Sequence, residues 1–390
     1  DIRDRAALQK AFDSFQPEIV FHLAAQALTR RSYEDSLLTF ETNTMGTLNV
    51  LECIRNQNSV NAAVIITSDK CYRNDEWVWG YREADRLGGP DPYSASKATA
   101  ELVIRSHVRS FLSKEGSIRI GIGRAGNVIG GGDWAANRIV ADCVKAWSIG
   151  KLVELRNPHS TRPWQHVMEP LSGYMHLASE LYNVGKTLQG GWNFGPLDVM
   201  NRTVAELIEE IEKYDKNTNF VFERPKDNLE ANLLKLDISK AVSRLNWMPV
   251  LDFKGTLKYT VEGYLSDLKG NSARDDRLKT IKSYTKTALN KAVASPTVLN
   301  MKIVRAQQAR QTLDILIGYN SDYFDIPYIY YRIKNRLGER TAKRLSPVRI
   351  VEERDKRWYP DQPIRIAGVT SLDYMRLHKK YSFQQEPSMK

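Results

Sequence analysis

The chain has 390 residues, 42% of them hydrophobic, and 57 Lys and Arg against 46 Asp and Glu give it a formal net charge of +11. That length leaves room for two or three domains and a sizeable core, and the composition is that of a globular protein; no apolar run reaches the length of a membrane span, and no signal peptide opens the chain. The excess charge belongs to the tail: residues 291–390 hold 19 Lys and Arg against 10 Asp and Glu, whereas the rest holds 38 against 36.

The first residue, Asp1, begins inside polar, helix-like text, so we expect the natural start to lie further upstream. EIVFHLAA (18–25) is predicted as a buried strand and 37–54 as an amphipathic helix. AAVIITS (62–68) is the next strand, 93–112 a long helix and SIRIGIGRA (117–125) a further strand. Apolar runs alternating with helical patterns in this way predict an α/β fold with a parallel sheet wrapped by helices. Beyond residue 150 the units shorten (KLVEL, GYMHLASELYNVG, GWNFG, TVAELIEEIEKY, NFVFE), as for a smaller lobe within 150–265 set against the main sheet. Residues 266–300 read as a terminal helix and a linker, and the style of the sequence changes after residue 310, with ILIGYN (315–320) and IRIAGVTSLDYM as apolar runs. A boundary is expected at 289–310. Cys53, Cys71 and Cys143 form no CxxC pair and no zinc spacing, which points to reduced thiols and a cytoplasmic protein.

GIGRAG (121–126) spells a dinucleotide-binding loop, but such a loop must open a helix whose N-terminus meets the pyrophosphate. NVIGGGDW follows instead, and three consecutive glycines do not start a helix cheaply. The stronger signal is Tyr93-Ser-Ala-Ser-Lys97: spacing i to i+4 puts a phenol and an ammonium on one helical face, where the cation favours the phenolate. Alone, this pair is as readily an exposed helical pair. Thr67-Ser68-Asp69-Lys70 at the carboxyl end of one predicted strand, and HLAAQ (22–26) at the end of another, add a hydroxyl, a carboxyl, an amine and a run of small residues at the edge where open α/β sheets bind ligands.

DIRD, FHLAAQ, NTMGT, ITSDKCY, YSASK, RAGNVIGGGDW and RNPHSTRPWQHV, in this order, resemble the extended short-chain dehydrogenase/reductase family, and within it the CDP-glucose 4,6-dehydratases, over about residues 1–288. The resemblance implies a Rossmann-like doubly wound sheet, bound NAD, CDP-glucose as substrate and a homodimer. It casts Tyr93 as the base at the sugar's carbon-4 hydroxyl, with Lys97 tuning it and holding the nicotinamide ribose, and Ser68 bonded to the same hydroxyl. Asp69 matches the acid. Lys70 stands where related dehydratases carry Glu, and it has two readings, a base or an electrostatic partner. Leu23, Ala24, Ala25 and Gln26 would line the cofactor, Asp1 and Ile2 would flank its adenine, and Asn127 and Arg162 would hold the sugar nucleotide; an ordinary salt bridge also explains Arg162. His22 and His166 match no catalytic role. The family's glycine loop precedes DIRD and is absent here, so an incomplete sheet and weak NAD binding are expected. Another nucleotide-sugar dehydratase or an epimerase is the alternative, though Asp69-Lys70 argues against a plain epimerase.

Residues 311–390 resemble instead a partial RNase H-like α/β fragment, the 3′–5′ exonuclease domain of tailed-phage family B DNA polymerases, through Asn320-x-x-x-Phe324-Asp325. The resemblance makes Asp325 a metal ligand facing single-stranded DNA. One carboxylate cannot hold two metals, so an inactive joined fragment is expected. Its basic charge fits either a DNA-facing origin or a solvated surface.

Overall fold

The structure, a computed structural model, describes residues 1–112, 118–136, 138–155, 158–197, 202–214, 220–222 and 233–293, and the strand residues 315–318, 351–353, 364–366 and 370–373. Helix α1 (Arg5–Phe15) starts at Asp4, whose carboxylate caps it by accepting from Ala7 N at 3.0 Å. Strand β1 (Ile19–His22) and helix α2 (Thr29–Glu34) follow. The single helix expected over 37–54 is three segments in line: α3 (Ser36–Phe40), a π-helical turn (Glu41–Met45) and α4 (Gly46–Arg55). Next come β2 (Ala62–Ile66), a 3₁₀ turn (Asp69–Cys71), α5 (Pro92–His107) and β3 (Arg119–Ala125).

The second half contains β4 (Val128–Ile129), α6 (Ile139–Ser148), β5 (Val153–Leu155), β6 (Thr161–Arg162), β7 (Gln165–His166), α7 (Met168–Val184) and β8 (Gly190–Phe194). It continues through β9 (Arg202–Thr203), α8 (Val204–Ile211), β10 (Phe220–Phe222), α9 (Ser239–Leu245), α10 (Phe253–Leu268) and α11 (Ala273–Val293). Strands β11 (Ile315–Gly318), β12 (Val351–Glu353), β13 (Ile364–Ile366) and β14 (Thr370–Asp373) belong to the tail. Helix α11 ends at Val293, within the 289–310 stretch where a boundary is expected; residues 294–310 lie outside the described residues, as does Asp325.

The main sheet has the order β14-β11-β1-β2-β3-β8, and its strands are parallel. Helices cover both faces, which explains the continuous apolar text of its strands. Side chains alternate: Ala62 and Val64 face a core with Leu177, Trp192, Phe194 and Trp247, while Ala63 and Ile65 face one with Phe12, Leu51, Ile54 and Ile104. A third core, with Val140, Trp147, Leu207, Ile208, Leu257 and Tyr264, ties α6, α8 and α10 into the smaller lobe. At one edge of this sheet β11 pairs with β1 (Val20 opposite Ile315) and β14 with β11 (Leu316 opposite Ser371).

GIGRAG lies in β3 and its exit, and the next helix starts only at Ile139. Its glycines serve packing. A Cβ at Gly121 would lie 2.8 Å from Leu177 Cδ2, and one at Gly123 would lie 2.7 Å from Tyr174 Cε1, so α7 sits closer to the sheet than any side chain there would allow.

Candidate active site

The site forms at the carboxyl ends of β1, β2 and β3. Helix α5 is started by Asp91, whose carboxylate accepts from Ser94 N at 2.9 Å, and by Pro92 in its first turn. One turn in, Tyr93 and Lys97 are both buried, at 7% and 5% exposure. Tyr93 N donates to Ser32 Oγ at 3.1 Å, fixing the start of α5 on α2.

Ser68 ends the extended run after β2 and caps the 3₁₀ turn, accepting from Lys70 N at 3.2 Å and donating from its hydroxyl to Asp69 Oδ1 at 2.9 Å. Asp69 Oδ2 is buried and has no hydrogen-bond partner. A Cβ at Gly126 would run into that oxygen, so glycine there makes room for the carboxyl group. Burial pushes the Asp69 carboxyl up, against the opposing pull of Lys70, the Ser68 hydroxyl and Arg162.

Burial raises the Tyr93 phenol to about 12, against the lowering influence of the nearby Ser68 hydroxyl. The positive charge of Arg138 also lowers it, while Asp69 and Asp91 raise it further. Burial likewise lowers Lys97 to about 8.

The loop Leu23–Gln26 leaves β1 beside α5 and is clamped by Asn43 of the π-helical turn. Asn43 Oδ1 accepts from Gln26 N at 2.8 Å, while its Nδ2 donates to Gln26 O at 3.0 Å and to Ser96 Oγ at 2.9 Å. The π turn therefore aims one amide at both the loop and α5. His22 is buried, bonded through Nε2 to Thr47 Oγ1 at 3.0 Å and lowered to about 3 by burial and then by Lys97. His166 is held by Met168 N and is also lowered to about 3, by burial and then Arg277. Burial therefore keeps both imidazoles neutral at pH 7.

Arg162 is buried at 5% exposure, and its charge reaches Asp69. Asn127 takes a positive φ of 37° and accepts from Gln165 N at 3.3 Å, turning the chain out of the sheet toward the lobe. Ser68, Asp69, Lys70, Tyr93 and Arg162 thus come together, with Lys97 one turn along α5. Asp1 and Ile2 lie apart: Ile2 packs on Gly46, and Asp1 lines an open cleft of about 560 Å³ with Arg3, Asp4, Glu41, Met45 and Asn49, none of them a reactive group named above.

Sequence reading gave no role to Asn43, Glu101 or Arg124. An acid one turn after Lys97 on the same helix, and an arginine inside an apolar strand, were the available signals for the last two. Among the described residues, no group of His, Cys, Asp and Glu could hold a metal ion.

The family model described as GDP-mannose 4,6 dehydratase matches residues 1–260, and that of the DNA polymerase family B exonuclease domain matches residues 303–390. The CDP-glucose 4,6-dehydratase of Salmonella typhimurium is 44% identical over 275 residues, 69% of this chain and 77% of that protein. The DNA-directed DNA polymerase of Escherichia phage RB69 is 46% identical over 84 residues, 20% of this chain but only 9% of the polymerase. A crystal structure of UDP-glucose 4-epimerase from Thermotoga maritima with UDP-glucose shares the fold, with a TM-score of 0.60 at 24% identity over 69% of this chain and 84% of that one.

Proposed function

The chain belongs, through residues 1–260, to the GDP-mannose 4,6-dehydratase family, and from that membership we propose that it is an NAD-dependent lyase converting CDP-glucose to CDP-4-keto-6-deoxyglucose and water. The 44% identity to a CDP-glucose 4,6-dehydratase supports a cytidine nucleotide in that substrate.

The observation that carries this reading is Asp69. An epimerase needs no buried acid, whereas a dehydratase must protonate a departing hydroxyl. Asp69 is buried with its carboxyl pKa raised by that burial, one oxygen accepting from Ser68 and the other without a hydrogen-bond partner and packed beside Gly126, an environment that favours the protonated form an acid needs.

The residues present fit the nicotinamide end of NAD: Ala24 and Ala25 leave a low loop held by Asn43, with Lys97 and Tyr93 buried nearby on α5. Leu23 to Gln26, Tyr93 and Lys97 would hold that end, and Asp1 and Ile2 the adenosine. When bound, NAD supplies a two-electron acceptor that takes hydride from the sugar and returns it. Ser68 orients the carbon-4 hydroxyl, and Tyr93 receives its proton at Oη only as the phenolate, which Lys97 and the positive charge of bound nicotinamide would favour against the burial that raises the phenol. Asp69 gives a proton from Oδ2 to the carbon-6 oxygen as it leaves. Lys70, one position on, either takes the carbon-5 proton as a neutral amine or, as the ammonium, stabilises the enolate while water carries that proton away. Arg162 compensates charge beside Asp69 and, with Asn127, anchors the sugar nucleotide.

The reading extends to a homodimer, for which the exposed Leu37, Met45 and Leu102 on and around α3 to α5 offer apolar contacts, and to a cytoplasmic setting; no described helix is long and apolar enough to cross a membrane. Residues 1–293 would be the catalytic unit. The tail's candidate metal ligand, Asp325, lies outside the described residues.

The test supplies the purified chain with CDP-glucose and excess NAD and follows the 4-keto product. Asp69→Asn, which keeps the bond to Ser68 but cannot give up a proton, is expected to lower kcat about 100-fold or more with little change in KM. Undiminished turnover in that variant would remove Asp69 from its role.

A further inference from the structure

One turn beyond Lys97 on α5, Glu101 is wholly buried and meets an equally buried Arg124 from β3. Their contact is bidentate, with Arg124 Nε donating to Oε1 at 2.6 Å and Nη2 to Oε2 at 2.5 Å. Thr67 Oγ1 donates to Glu101 Oε1 at 2.8 Å. On the far side, Arg124 Nη1 donates to the Tyr72 hydroxyl at 2.5 Å, and the guanidinium lies 4.8 Å from the centre of the Tyr72 ring. Tyr72 donates in turn to Asn193 Oδ1 at 2.7 Å, and Asn193 Nδ2 donates to the carbonyls of Tyr81 and Asp237.

Thr67 and Tyr72 are the residues on either side of Ser68–Cys71. The same carboxylate–guanidinium pair therefore grips both ends of the turn that carries Ser68, Asp69 and Lys70, while Glu101 is rigidly part of the helix that carries Tyr93 and Lys97. Planar bidentate pairing allows little rotation or sliding between the two partners. We propose that Glu101 and Arg124 are a positioning pair: without touching substrate, they set the spacing between the Tyr93–Lys97 helix and the Ser68–Asp69–Lys70 turn, and hence the turnover of the reaction.

The chemical part of this inference rests on the proposed dehydratase activity; the geometric part does not. The alternative is a pair that only holds helix to sheet, and a charge-free replacement separates the two. Glu101→Gln leaves the buried Arg124 charge without its carboxylate, and Arg124→Met leaves Glu101 only its longer contact to the half-exposed Arg105 at 3.4 Å, so each single variant lowers stability, whereas the double variant removes both buried charges and is expected to regain most of it. Three readouts are taken on the full chain: melting temperature, kcat and KM for CDP-glucose, and backbone hydrogen exchange at residues 69–72. The double variant is expected to melt near the parent but to keep kcat lowered about tenfold or more, KM within about twofold, and exchange at 69–72 accelerated about tenfold. Recovery of both kcat and exchange with stability in the double variant would overturn the positioning role. Should the parent chain form no product, the dehydratase reading falls, and parent-like exchange at 69–72 in the double variant would still overturn the pair's role.

Discussion

At the scale of single residues, burial decides protonation throughout the site. His22 and His166 are each lowered by burial from 6.5 to about 3. A folded-state value below the unfolded one means that the unfolded chain binds the proton first. The stability these residues contribute is complete above pH 6.5 and is lost as pH falls toward 3. Between pH 6.5 and 5 each histidine should remove about 2 kcal/mol, read by urea unfolding at the two values. His166→Gln should flatten its share of that slope, and an unchanged slope would contradict the assignment. Lys97, Tyr93, Ser68 and Asp69 were legible in the sequence because a helical i to i+4 spacing and a strand end place them without long-range information. The Glu101–Arg124 pair was not, since its partners are 23 positions apart on different elements and neither belongs to a local motif.

Among the elements, the helix expected over 37–54 shows what periodicity omits. The apolar stripe continues through the segment, but the π turn at Glu41–Met45 rotates Asn43 onto the Gln26 backbone, a partner outside the helix. Strand β3 teaches the complementary point. Its glycines resemble a nucleotide loop in text, yet two of them admit α7, and Gly126 just past the strand admits Asp69. Gly126→Ala should therefore push Asp69 off its position without unfolding the sheet. We expect kcat to fall about 100-fold with far-ultraviolet circular dichroism unchanged, and a fully active variant would show that the close approach is dispensable.

For the molecule as a whole, the doubly wound sheet and the smaller lobe were legible from the alternation of apolar runs and helical patterns. The neighbour of β1 was not. At that edge stand β11 and β14, from residues that match a polymerase exonuclease domain. An apolar run such as ILIG carries no mark of the partner it pairs with, and register between strands nearly 300 positions apart lies beyond any local pattern. What the assembled chain does is most directly tested with CDP-glucose deuterated at carbon 4, given to the 390-residue protein with excess NAD. Product carrying the deuterium at carbon 6 is the result expected of an internal hydride return in a 4,6-dehydratase. No product, or a product whose carbon 6 has taken up only solvent hydrogen, would contradict it.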